Sequence, residues 1–100
     1  MSKILIIDDE RAIRRALREI LEFEKFDVDE AEDGKQGVEK AVSEEYAIIF
    51  CDIKMPNMDG MEVLDALKDA AVESPVIMIS GHGTIDTAVQ AIKKGAFDFI

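Results

Sequence analysis

One hundred residues at 48% apolar composition suffice for a single domain with a core of ordinary size and leave no room for a second. Twelve basic residues against 22 acidic ones, net charge -10, argue against direct binding to nucleic acid or to a membrane and turn attention to cations and basic surfaces. A lone Cys51 cannot form an internal disulfide, and the opening Met1-Ser2-Lys3 runs straight into a four-residue apolar stretch, so the chain reads as cytoplasmic, with no signal peptide or membrane span.

The first predicted strand, Lys3 to Asp8, is nearly continuous in Ile and Leu, as a parallel strand covered on both faces should be, and it stops at Asp8-Asp9. A helix follows with Ile13, Ala16, Leu17, Ile20 and Leu21 on one face. Its opposite face carries Arg11, Arg14, Arg15 and Arg18 at i, i+3, i+4 and i+7, either a solvated stripe pairing locally (Arg15 with Glu19, Arg18 with Glu22) or a docking surface. The second strand, Asp27 to Ala31, alternates and belongs at a sheet edge. A turn at Gly34 opens a helix marked by Val38, Ala41 and Val42. The third strand, Ala47 to Cys51, stops at Asp52, ahead of Lys54-Met55-Pro56-Asn57-Met58-Asp59-Gly60. Val63, Leu64, Leu67 and Ala71 mark a third helix. Pro75 to Ile79 form a fourth strand, ending at the hydroxyl of Ser80. Ile85, Ala88, Val89 and Ile92 mark the fourth helix, with Thr84 as N-cap and Gly95 in the left-handed position after it. A fifth strand spans Phe97 to Ile100.

Strands alternating with amphipathic helices predict an α/β domain with a doubly wound parallel sheet. In such a sheet ligands bind beyond the carboxyl ends of the strands, so Asp8, Asp9 and Asp52 converge there. Converging carboxylates repel unless a cation joins them, and Mg²⁺, a hard ion that takes oxygen ligands, is the natural partner. Each residue also has a plainer reading. Asp is common at caps and turns, Ser80 suits a turn at a loop entrance, Phe99 suits a packed terminal strand, and His82 between glycines reads as a solvated loop residue.

Asp8-Asp9, Asp52-Ile53-Lys54-Met55-Pro56, Asp59-Gly60, Ser80 and Gly95-Ala96, in this order and at these intervals, resemble the receiver domain of two-component response regulators. Ser80-Gly81-His82-Gly83-Thr84 with Gly95-Ala96-Phe97-Asp98-Phe99-Ile100 looks most like receivers of enhancer-binding transcription activators. The resemblance implies a flavodoxin-like five-stranded sheet of order 2-1-3-4-5 and transfer of a phosphoryl group from a histidine kinase to Asp52. It also implies Mg²⁺ held by Asp8, Asp9, Asp52 and the backbone carbonyl of Lys54. Ser80 would contact the phosphoryl group, and Phe99 would be an aromatic switch that follows it. The Arg11, Arg14, Arg15 and Arg18 stripe would lie on the helix that often docks the kinase.

Receivers continue past the position of Ile100 into a Lys-Pro dipeptide and a fifth helix. The resemblance therefore implies that residues 1–100 are a receiver truncated before its last helix, with an output domain of the transcription-regulating kind beyond. Lys93 and Lys94 belong to the fourth helix and do not replace that lysine. The chain could also pair as a homodimer. Two other functions stay open: an interaction module independent of phosphorylation, and a Mg²⁺-dependent aspartyl phosphatase. The latter resemble a D-x-D motif, whereas Asp52 is followed by Ile53-Lys54. As a receiver the chain is not an enzyme on other molecules and catalyses only its own phosphorylation and dephosphorylation.

Overall fold

The computed structural model describes residues 2–79 and 85–100. Its elements alternate in chain order: β1 (Lys3–Ile7), α1 (Arg11–Phe23), β2 (Asp27–Ala31), α2 (Gly34–Ser43), β3 (Ile48–Asp52), α3 (Gly60–Asp69), β4 (Val76–Ile79), α4 (Ile85–Lys93) and β5 (Asp98–Phe99). All pairings are parallel, in the order β2-β1-β3-β4-β5, so β2 lies at an edge as its alternating sequence predicts. Gly95, at φ 108°, takes the left-handed position expected after α4, which a Cβ would strain.

Parallel register divides the strand residues cleanly between two faces. Leu5, Ile7, Ile49, Cys51, Val76 and Met78 share one face and form a single buried cluster with Val63, Leu64 and Leu67 of α3, Ala41 of α2 and Ala91 of α4. On the other face Ile4, Ile6 and Val28 are buried at β1 and β2, where α1 packs. Further along that same face Ile48, Phe50, Ile77 and Ile79 are only half-buried.

Several sequence expectations need correction. The apolar face expected of α1 contains no buried residue: Ile13 is on the border of exposure, Ile20 is 62% exposed, and Leu17 and Leu21 are half-buried. The main contacts of the helix are with β1 and β2, and much of its apolar stripe stays open to solvent. Val42 near the end of α2, and Val89 and Ile92 of α4, all expected to face the core, are exposed. Ala71 lies past the end of α3, where it takes φ 57° and reverses the chain. Asp52 is the last residue of β3 and not the first residue after it.

At the amino end of the sheet, the buried Tyr46 donates its hydroxyl hydrogen to Asp29 Oδ2 at 2.7 Å, with Glu44 Oε2 at 3.2 Å. Lys3 Nζ bridges both carboxylates, at 3.5 Å from Asp29 and 3.0 Å from Glu44. Among the described residues, no helix is long and apolar enough to cross a membrane.

Candidate functional site

Pairing of Ile6 with Phe50 and of Ile7 with Cys51 carries forward to Asp8 and Asp52, so the two acids stand side by side at the carboxyl ends of adjacent strands. Period-two alternation gives them the α1 face. Asp9 follows one residue later, and one oxygen from each of the three carboxylates lies within 4.8 Å of the others. Exposure is graded: Asp8 is 1% exposed, Asp52 is half-buried and Asp9 is exposed.

Local bonding explains the shape of this turn. The Asp8 amide donates to the Ala31 carbonyl at 3.1 Å, its carboxylate accepts from the Glu10 amide at 2.8 Å, and its carbonyl accepts from Arg14 Nη1 at 2.8 Å. A buried carboxylate therefore has a donor of its own, which lessens the cost of its burial. Beyond Asp52 a short connecting segment leads to α3, whose first residue Gly60 donates its amide back to the Ile53 carbonyl at 2.8 Å. A Cβ at Gly60 would run into the Asp52 carbonyl oxygen and the Met78 side chain, so only glycine lets α3 start this close to the acid. Asp59 then caps α3 reciprocally with Glu62: its carboxylate accepts from the Glu62 amide at 2.9 Å and its own amide donates to Glu62 Oε1 at 3.2 Å.

The electrostatics record unrelieved repulsion. Burial, then the charges of Asp8 and Asp9, push the Asp52 carboxyl up to about 6, against the pull of the Ile53 and Lys54 backbone amides. Asp8 is raised as well, by burial first and then by Asp9 and Glu10, while the Glu10 amide and Arg14 oppose the rise. A cation binding here would relieve that repulsion, and a donor set made only of carboxylate oxygens suits a hard ion such as Mg²⁺.

The remaining sequence-picked residues fall at different places. Lys54 is exposed in the segment joining β3 to α3. Phe99 of β5 is partly buried and packs against the core cluster beside Met78. Ser80, His82 and Thr84 lie outside the described residues. Lys94 pairs with Asp65 of α3 at 3.1 Å, consistent with the expectation that it does not serve the acids. Cys51 is fully buried, donates its thiol hydrogen to the Asp52 carbonyl at 3.3 Å, and is held protonated by burial.

The arginine stripe divides. Arg14 and Arg18 both pair with Glu30 of β2, Arg18 also pairing with Glu22 as its spacing predicts, whereas Arg11 and Arg15 are exposed and Arg15 makes no pair with Glu19 among the described residues. Sequence reasoning missed Glu30. Its signal was a carboxylate at an in-facing position of a strand, opposite a helix with two arginines one turn apart.

The response regulator receiver domain model matches residues 4–100. This chain belongs to that family. The receiver is 44% identical over 99 residues to the nitrogen assimilation regulatory protein NtrX of Azorhizobium caulinodans, covering 97% of this chain and 22% of that protein. It is 37% identical to the C4-dicarboxylate transport transcriptional regulatory protein DctD of Pseudomonas aeruginosa, covering 99% of this chain and 21% of that protein. The receiver thus spans about a fifth of the length of these two relatives. Among solved structures, a response regulator of Burkholderia pseudomallei, crystallised with a phosphorylated aspartic acid, a calcium ion and citrate, superposes with a TM-score of 0.91 at 27% identity, over 99% of this chain and 58% of that one.

Proposed function

We propose that this receiver accepts a phosphoryl group from a histidine kinase on Asp52 and thereby governs an output domain, of the transcription-regulating kind, in a longer protein. The observation that carries this reading is the convergence of three carboxylates on one strand-end crevice, with Asp52 held between burial and its two acidic neighbours. The phosphorylated aspartate and bound calcium of the Burkholderia relative support the same chemistry. Asp8, Asp9, Asp52 and the Lys54 backbone carbonyl would hold Mg²⁺, which when bound offsets the negative charge shared by carboxylate and phosphoryl group.

In the transfer an Asp52 carboxylate oxygen attacks phosphorus, the P–N bond of the phosphohistidine breaks, and the departing imidazole nitrogen keeps the electron pair and takes up a proton. Asp52 is half-exposed at the crevice mouth, which gives an incoming donor access. The tight start of α3 at Gly60 fixes the backbone on which Asp52 stands. Ser80 would contact the new phosphoryl oxygens, and Phe99, partly buried against the core, would report their arrival. With Arg14 and Arg18 engaged by Glu30, a docking role for the stripe narrows to Arg11 and Arg15. A further helix would cover the half-buried apolar face formed by Phe50, Ile77 and Ile79.

In a chain extended past Ile100 through the expected lysine, incubation with a small phosphodonor and Mg²⁺ should add one acid-stable, base-labile phosphoryl group by intact mass, and Asp52→Asn should abolish it. Modification that persists on the Asn variant would show the acceptor to be another residue.

A further inference from the structure

Of the four arginines on α1, Arg14 is the one that reaches the acidic turn. Its Nη1 donates to the Asp8 carbonyl at 2.8 Å while its Nε pairs with Glu30 Oε1 at 3.0 Å, and its side chain is only 12% exposed. Glu30 is itself held by a second guanidinium: Arg18 Nη1 takes its other oxygen and Arg18 Nη2 donates to the Val28 carbonyl at 2.9 Å. Two fork-shaped donors thus lock one carboxylate of β2 against α1. The consequence falls on the peptide joining Asp8 to Asp9. With the Asp8 amide bound to Ala31, its carboxylate to Glu10 and its carbonyl to Arg14, the orientation of that peptide is set. Asp9 has no side-chain hydrogen bond of its own among the described residues, so its carboxylate is aimed by the backbone alone.

We propose that Arg14, braced by Glu30, is the positioning residue for Asp9, so that cation affinity depends on a side chain that touches neither cation nor phosphoryl group. This rests on the metal reading above. Charge and geometry make opposite forecasts here. A guanidinium beside three carboxylates opposes cation binding, so if Arg14 acted only through its charge, removing it would tighten binding. If it acts by holding the peptide, removing it weakens binding.

The test is Mg²⁺ and Mn²⁺ titration of the purified protein, followed by amide chemical shifts, alongside thermal melts without metal. Arg14→Gln and the charge-conserving Arg14→Lys should each weaken binding about tenfold, the loss usual for groups that orient metal ligands, and should shift the Asp9 and Glu10 amides before metal is added. Glu30→Gln, which keeps Arg14 but removes its brace, should weaken binding in the same direction. Arg18→Gln strips a guanidinium from the same Glu30 without touching Asp8, and should lower the melting temperature while leaving affinity within about twofold. Arg14→Gln binding as tightly as the parent or more tightly overturns the proposal, as does equal weakening by Arg14→Gln and Arg18→Gln. Asp9→Asn, run in parallel, separates the two levels. If it leaves affinity unchanged the metal reading itself fails, and if it weakens affinity while Arg14→Gln does not, only the role of Arg14 fails.

Discussion

The two faces of the sheet are built from the same strands and nearly the same residue types, yet they differ in cover. Toward α2, α3 and α4, Ile49, Cys51, Val76 and Met78 are sealed in a continuous cluster; toward α1, their neighbours Ile48, Phe50, Ile77 and Ile79 are half-buried, and Asp8 and Asp52 project on that same side. One face concentrates apolar burial. The other carries the charged site at its carboxyl end, next to apolar surface still open to a partner or a further helix. The difference follows from cover alone, since a parallel strand read as a run of Ile, Val and Met does not tell which of its faces a helix will reach.

Paired truncations give the largest effect. Met78→Ala, at a fully buried position, should cost about 2–5 kcal/mol in urea denaturation, whereas Ile77→Ala on the half-open face should cost less than half as much. Equal losses in residues 1–100 would erase the distinction between the faces. Repeating the pair in a longer chain sharpens it: where added residues cover the open face, the Ile77→Ala loss should climb toward that of Met78→Ala. Self-association of the 100-residue chain in sedimentation runs, relieved by Ile77→Thr, would be a second sign that the open face seeks cover.

Gly60→Ala comes next. The Cβ meets the Asp52 backbone and Met78 together, so α3 has to retreat from the sheet, costing about 1–3 kcal/mol and slowing the phosphorylation proposed at Asp52. A variant that keeps both stability and phosphorylation rate would show that α3 does not need this close approach to hold Asp52.

The smallest effect is electrostatic and belongs to the open face. Asp52 titrates near 6 when folded, above an ordinary unfolded carboxylate, so the folded state holds this proton more tightly. Its penalty is therefore absent below the ordinary carboxylate range, grows as pH rises from there through about 6, and is constant above. Without metal, the melting temperature should decline across this window by no more than a few degrees, given the partial exposure of the group. Asp52→Asn should remove that component, and Mg²⁺ should offset it in the parent. A metal-free parent whose profile matches that of Asp52→Asn would show that the acids do not repel as described.

Element order, sheet order and the acidic triad were legible because each rests on local signals: apolar runs of strand length, amphipathic spacing, and Asp at strand ends. What escaped were matters of cover and of distant pairing. The stripe of α1 was readable as apolar, but not that Ile20 would stay 62% exposed. Ala71 fits the apolar spacing of α3, yet the helix stops at Asp69 and the chain reverses through it at positive φ, which its sequence did not announce. Arg14 was visible as charge on a helix, whereas its partner Glu30 lies 16 residues away and meets it only once β2 pairs with β1.

The chain has one tyrosine and no tryptophan, and that tyrosine is Tyr46, buried at the amino end of β3 with its hydroxyl on Asp29. Asp52 stands at the other end of the same strand, about 20 Å away at 3.3 Å per residue. Intrinsic fluorescence from this protein therefore reports whether the sheet is assembled and is blind to what happens at its acids. Watching phosphorylation optically requires a new emitter, and Phe99→Trp places one in the strand that pairs with β4, leaving Tyr46 as an internal reference for folding.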